Sequence, residues 1–123
     1  EDRVLVSAFD DRIVRHFRKV SQGRVQTAMG RRHIRRFVVL SKMGLGFLWC
    51  GKHRSMQIPV RSGKTRLDRP AIVRTAHRKG ISVYYWTINK TEDMRRLGAL
   101  GIDGVITDRP DRLPGEWVRT SSD

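Results

Sequence analysis

From Asp68 to Thr107 the chain repeats one unit: a polar cap, a short amphipathic helix, a glycine, then an apolar strand. Asp68 can cap a helix that carries Pro70 in its first turn, where the missing N–H costs little. Ile72, Val73 and Ala76 would form its apolar face, and Gly80 would stop it in the left-handed conformation open to glycine. "ISVYYWTI" (81–88) reads as a strand. Thr91 can cap the next helix, with Glu92 and Asp93 in the first turn, where negative charge suits the dipole. Met94, Leu97 and Leu100 give a buried stripe, Gly101 ends it, and "GVIT" (104–107) is the final strand. Strands joined by single short helices run parallel and need those helices on the outside, so an α/β fold is expected.

The preceding segment follows the same rhythm less clearly. "VLVSAF" (4–9) fits a buried strand, and Asp10 or Asp11 can cap a helix whose face is Ile13, Val14, Phe17 and Val20. "RVQTAM" (24–29) is a second strand. A basic helix follows Gly30 with Ile34, Phe37 and Val38 on one side; polar Ser41 takes the next position, so the helix is expected to end near Leu40. Residues 43–55 read as a loop or a short extra helix over the core. "MQIPV" (56–60) is a third strand, its end placed at a barrel rim or sheet edge by Pro59, and "RSGKTR" (61–66) is a turn. Residues 114–123 form a polar tail expected to fray after Trp117.

A length of 123 residues fits one domain with one modest core. Its formal charge of +14 calls for an anionic partner to be considered. Cys50 is the lone cysteine, so no internal disulfide forms. The longest apolar region, 37–50, is interrupted by Ser41, Lys42, Gly44 and Gly46 and is too short and broken for a bilayer, which needs roughly 20 apolar residues. No signal-peptide pattern surrounds the first residues. A soluble, cytoplasmic chain is expected.

In parallel α/β sheets and barrels, chemistry gathers at the carboxyl ends of the strands, because the loops there vary without harming the core. That rule selects Phe9 with Asp10, Gln57 to Pro59, Trp86 to Asn89, and Thr107 with Asp108. The run "YYWTIN" (84–89) stands out: a buried strand has no need to finish on a large ring with one donor and then polar groups. Asn89 and Asp108 also have an ordinary reading as turn residues, and Trp86 could simply fill the top layer of a barrel. No acid/base or metal centre is visible. The glutamates are Glu1, Glu92 and Glu116, at the termini or a helix start. His16, His33, His53 and His77 lack a partner at ligand spacing and read as surface histidines. Arg12, Arg15 and Arg18, and Arg31, Arg32, Arg35 and Arg36, read as solvated helix faces. The aromatic residues lie mostly in strands, away from this charge, so nucleic-acid binding is disfavoured.

Taken in order, the strand-end residues resemble a known family. "SAF" (7–9), "WTIN" (86–89) against W-T-V-N, and "GIDGVITDRP" (101–110) against G-V-D-G-I-I-T-D-x-P look like the C-terminal half of glycerophosphodiester phosphodiesterases. The resemblance covers most of residues 4–113 and is least clear across 30–55. It implies a TIM-type (β/α)8 barrel, which usually needs about 250 residues, so residues 1–113 would be the C-terminal half of one. The family's H-R-G, E-x-D, H-D and E-x-K motifs precede the matched region and are not found here. The resemblance therefore implies that catalytic and metal-binding residues, and the ligands of a calcium or magnesium ion, lie outside this chain. It also implies substrate-lining roles for Phe9, Gln57, Trp86 and Asn89, and strand-end structural roles for Thr87, Thr107 and Asp108. Trp86 would offer its ring to the glycerol carbons.

The implied reaction of the intact protein is hydrolysis of a small glycerophosphodiester to glycerol 3-phosphate and an alcohol, in lipid metabolism, and the chain alone is expected to be inactive. A phosphodiesterase for a different lipid head group stays open. So does a non-catalytic basic α/β module that binds an anionic polymer, contacts an anionic membrane peripherally, or self-associates through the open sheet edges of a half-barrel.

Overall fold

The computed structural model describes residues 5–6, 11–22, 24, 26–51 and 53–117; Phe9, Asp10 and the end of the polar tail lie outside them. In chain order the elements are β1 (Leu5–Val6), α1 (Asp11–Val20), β2 (Gln26–Thr27), α2 (Arg31–Lys42), β3 (Ser55–Pro59), β4 (Arg61–Ser62), β5 (Thr65–Arg66), α3 (Pro70–Arg78), β6 (Ser82–Trp86), α4 (Thr91–Gly98) and β7 (Gly104–Val105). β1 pairs with β2, β3 with β6 and β6 with β7, all in parallel. A parallel bridge from Ala28 to Ser55 carries the pairing from the β2 segment to β3. Neighbouring parallel strands thus follow one another in sequence order, and one helix fills each crossover. A doubly wound sheet reverses its strand order part-way; here the order never reverses, as in half of a (β/α)8 barrel.

The two-residue alternation of β3 and β6 divides the sheet into two faces. Met56, Ile58, Val83 and Tyr85 are fully buried with Ile72, Val73 and Ala76 of α3 and Met94 and Leu97 of α4. Each of the Val, Ile, Leu and Met side chains contributes about 1.5–3 kcal/mol when removed from water. Gln57, Pro59, Tyr84 and Trp86 occupy the alternate positions and are half-buried. That opposite face holds the strand-end side chains.

Gly80 (φ +69°) and Gly101 (φ +81°) adopt the left-handed conformation expected after α3 and α4. Other local expectations need correction. α2 runs on to Lys42, because the Ser41 hydroxyl donates to the Phe37 carbonyl at 2.8 Å and so satisfies itself inside the apolar stripe. Residues 61–66 are a β-hairpin, with Gly63 (φ +59°) supplying the positive φ its two-residue loop needs. Asp68 does not cap α3: Arg69 is the N-cap and no side chain bonds there. Thr91 does not cap α4 either; its hydroxyl donates to the Arg112 carbonyl at 2.7 Å and ties the 3-10 turn at Pro110–Arg112 to the helix. Pro114 is buried and Trp117 packs against the core.

The histidines also divide. His16 and His77 are exposed, as expected, but His53 is buried and its ring meets that of half-buried His33 at a tilt of 56°, with centroids 4.7 Å apart. His53 Nδ1 accepts from Arg18 Nη2 at 3.0 Å, and Arg18 Nε donates to the Thr27 hydroxyl at 2.6 Å. Arg18 is thereby drawn off the solvated face of α1.

Candidate functional site at the carboxyl ends of the strands

The register of β3 with β6 places Pro59 opposite Trp86, and Gln57 opposite Tyr84. The side chains of Gln57, Pro59, Trp86, Thr87 and Ile106 all line one cavity of about 680 Å³. It is completed by Ser62, Thr65 and Leu67 from the hairpin segment, by Met29, and by α2. Helical spacing brings Arg31, Ile34, Arg35, Val38, Val39 and Lys42 onto its wall. The described lining includes three cations and no carboxylate, so the cavity favours an anionic guest.

Of the residues expected to line a site, Gln57 and Trp86 meet in this cavity; Phe9 lies outside the described residues. Asn89 does not line it and instead fastens two strand ends. Its Oδ1 accepts from the Thr107 hydroxyl and from the Asp108 N–H, each at 3.0 Å. The Thr107 hydroxyl oxygen in turn accepts from the Arg109 N–H at 2.9 Å. The Ile88 N–H donates to the Ile106 carbonyl at 3.0 Å, extending the parallel pairing past β6 and β7. Thr87 is exposed at the cavity rim, beyond Trp86 and a cis peptide bond.

The stretch "GIDGVITD" (101–108) has a physical reason at most positions. Gly101 turns the chain out of α4. Asp103 Oδ2 accepts from the Val83 N–H at 2.7 Å and pairs with His77 Nε2 at 2.8 Å, which fixes the start of β6. A Cβ on Gly104 would come within 2.9 Å of the Tyr84 ring, its register partner. Thr107 then meets Asn89. These residues build and align the rim around Trp86.

The hairpin that walls the cavity is held from behind by Asp68. Its side chain is 1% exposed. Arg66 grips it through two bonds, of 3.1 Å and 2.8 Å, and Arg96 of α4 makes a short ion pair with the same carboxylate. The Arg66 hydrogen bond, supported by Arg96 and opposed by burial, lowers the Asp68 pKa to about 2. Beside it the Tyr85 hydroxyl donates to the Leu67 carbonyl at 2.7 Å, and burial raises that phenol's pKa.

Sequence reasoning missed two contributions. Arg31 and Arg35 read as solvated cations, although their i, i+4 spacing directly after Gly30, at the end of a strand, was a usable signal. The hairpin offered only Ser-Gly-Lys-Thr, which reads as any turn. Among the described residues no three His, Cys, Asp or Glu side chains come together as a metal site, and no helix is long and apolar enough to cross a membrane.

Comparison with known proteins agrees with this arrangement. The chain is 30% identical over 125 residues to the probable glycerophosphodiester phosphodiesterase 2 of Mycobacterium tuberculosis, covering 94% of this chain and 47% of that protein. It is 27% identical over 115 residues to the glycerophosphodiester phosphodiesterase of Caldanaerobacter subterraneus, covering 92% and 42%. A crystal structure from Silicibacter pomeroyi, of a protein assigned as a glycerophosphoryl diester phosphodiesterase, superposes with a TM-score of 0.66 at 26% identity, covering 91% of this chain and 37% of that one. The chain thus spans less than half the length of these relatives. The profile of the glycerophosphoryl diester phosphodiesterase family matches residues 1–112, and the chain belongs to that family.

Proposed function

We propose that this chain is the substrate-binding, C-terminal portion of a hydrolase that cleaves glycerophosphodiesters to glycerol 3-phosphate and an alcohol. The observation that carries the reading is the Trp86 cavity: an indole beside Gln57, facing cations of α2, with no carboxylate among the described lining residues. In this reading the ring of Trp86 packs on the glycerol carbons, because an aromatic face and aliphatic C–H groups exclude water from each other. Gln57 offers a donor and an acceptor to a hydroxyl. Arg31 or Arg35 draws the phosphodiester by charge, since a guanidinium presents several donors to its oxygens. Phe9 would add a second wall, and Asn89, Thr87, Thr107 and Asp108 keep the rim in place.

The family resemblance implies a divalent cation, calcium or magnesium. The described residues of this chain do not fit one, because no three potential ligands converge. Its ligands are proposed to belong to other parts of the intact protein. The same reasoning proposes that residues 1–123 have no turnover alone. The test is release of glycerol 3-phosphate from glycerophosphocholine by residues 1–123, with and without added calcium or magnesium. Metal-dependent turnover would overturn the division of labour. Calorimetric binding of glycerophosphocholine by the intact enzyme, weakened about tenfold by Trp86→Ala, is the expected positive result.

A further inference from the structure

We propose that the end of α2 and the turn after it form a docking surface for an anionic lipid bilayer. Four large apolar side chains are exposed there: Val39 (49%), Met43 (65%), Phe47 (69%) and Leu48 (55%). Val39 and Met43 stand one turn apart on the same side at the end of α2. Phe47 and Leu48 follow on a 3-10 turn at Gly46–Leu48. That turn is braced from beneath. Gly46 is buried with no room for a Cβ against Thr75 of α3, and Lys79 Nζ donates to the Phe47 carbonyl at 3.0 Å. The apolar side chains are therefore presented by an anchored segment.

The ground around them carries one sign of charge. Arg35 and Arg36 lie one turn before Val39, Lys42 stands beside Met43, and Lys79 reaches under Phe47. Every charged residue between Asp11 and Asp68 is Lys or Arg, and α3, which the turn packs on, contains no acidic residue. Apolar side chains about half exposed or more, ringed by cations, match the boundary of an anionic bilayer: the chains enter the acyl edge while the cations meet phosphate headgroups. A nucleic acid would supply the negative charge but would leave these side chains in water. Arg35, Val39 and Lys42 also border the Trp86 cavity, so this surface adjoins the candidate site, whereas Met43, Phe47 and Leu48 lie outside that lining; the proposal does not depend on the phosphodiesterase reading.

The test is co-sedimentation of the purified chain with sucrose-loaded vesicles of phosphatidylcholine alone and of phosphatidylcholine mixed with phosphatidylserine. Binding is expected to the mixed vesicles and to weaken with salt. Phe47→Ser with Leu48→Ser leaves the net charge unchanged and should lower partitioning about tenfold or more; Lys42→Gln with Arg36→Gln should lower it about tenfold. All positions are exposed, and far-UV circular dichroism should show both variants folded. Three results would overturn the proposal: no sedimentation, undiminished binding by the double serine variant, or binding to soluble poly-glutamate that depends equally on Phe47 and Leu48. The last would make the partner a protein.

Discussion

Asn89 and Thr107 lock together the carboxyl ends of two neighbouring parallel strands: the Thr107 hydroxyl donates to the Asn89 amide oxygen at 3.0 Å, and the adjacent Asp108 N–H donates to that same oxygen at 3.0 Å. Both contacts use the oxygen of the amide. Asn89→Ala should therefore lower stability by about 1–3 kcal/mol, because a half-buried hydroxyl and an N–H lose their acceptor together. Asn89→Asp keeps an acceptor in place and should stay within about 1 kcal/mol of the parent at neutral pH. Urea midpoints would decide; equal loss in both variants would mean the amide nitrogen matters and the clamp is misassigned.

Asp68 makes stability depend on acid. Its pKa falls to about 2 in the folded chain from an ordinary 3.8, chiefly through the Arg66 hydrogen bond. A depressed carboxyl pKa means the unfolded chain binds the proton more readily, so the contribution is complete above pH 4 and is lost as pH falls toward 2. Its size is about 2 kcal/mol by linkage. Asp68→Asn should lower stability at pH 7 by a comparable amount and flatten the profile between pH 4 and 2. Denaturation at several pH values checks this, and an unchanged acid limb in the variant would show that other carboxylates dominate.

The βαβ rhythm was legible because helix, glycine and strand each leave a local mark: Ile72, Val73 and Ala76 on one helical face, then Gly80 where the backbone must turn left-handed. The motif around Trp86 and Asp108 was legible through its resemblance to a known family, not through the contacts it makes, which join Asn89 to Thr107 and the Asp108 N–H across adjacent strands. What could not be read were interactions between distant segments. Asp68 looks like a helix cap until Arg96, on another helix, claims its carboxylate. His53 and His33 look like surface residues until the fold brings the segment before β3 against α2 and their rings into contact. The cations of α2 offer only their i, i+4 spacing as a signal until the hairpin and Trp86 are set opposite them.

Gly46 and Thr75 offer a test of packing between the 3-10 turn and α3. A Cβ at Gly46 would lie 2.2 Å from Thr75 Cγ2, and Thr75 cannot swing away without breaking its 2.7 Å hydrogen bond to the Ala71 carbonyl. Gly46→Ala should therefore cost about 1–3 kcal/mol as overpacking. Thr75→Ser removes Cγ2 while keeping the hydroxyl, so adding it should restore much of the loss. A double-mutant cycle reads the coupling directly, and strict additivity would show that the two segments do not meet.

Trp86 separates a substrate wall from a packing residue, because the two roles move different measurements. The indole is half-buried at a strand end rather than sealed in the core, so its loss should weaken the fold far less than the 3–5 kcal/mol typical of a fully buried Trp. Under the proposed function, Trp86→Ala in the intact enzyme should raise KM for a glycerophosphodiester about tenfold, from the loss of one apolar contact face worth about 1–2 kcal/mol. Trp86→Phe keeps part of that face and should fall between. Steady-state kinetics and a urea midpoint, measured on the same preparations, distinguish the outcomes. A KM unchanged by Trp86→Ala, together with a large fall in stability, would reassign Trp86 to the top layer of the barrel and leave the substrate carbons to another wall.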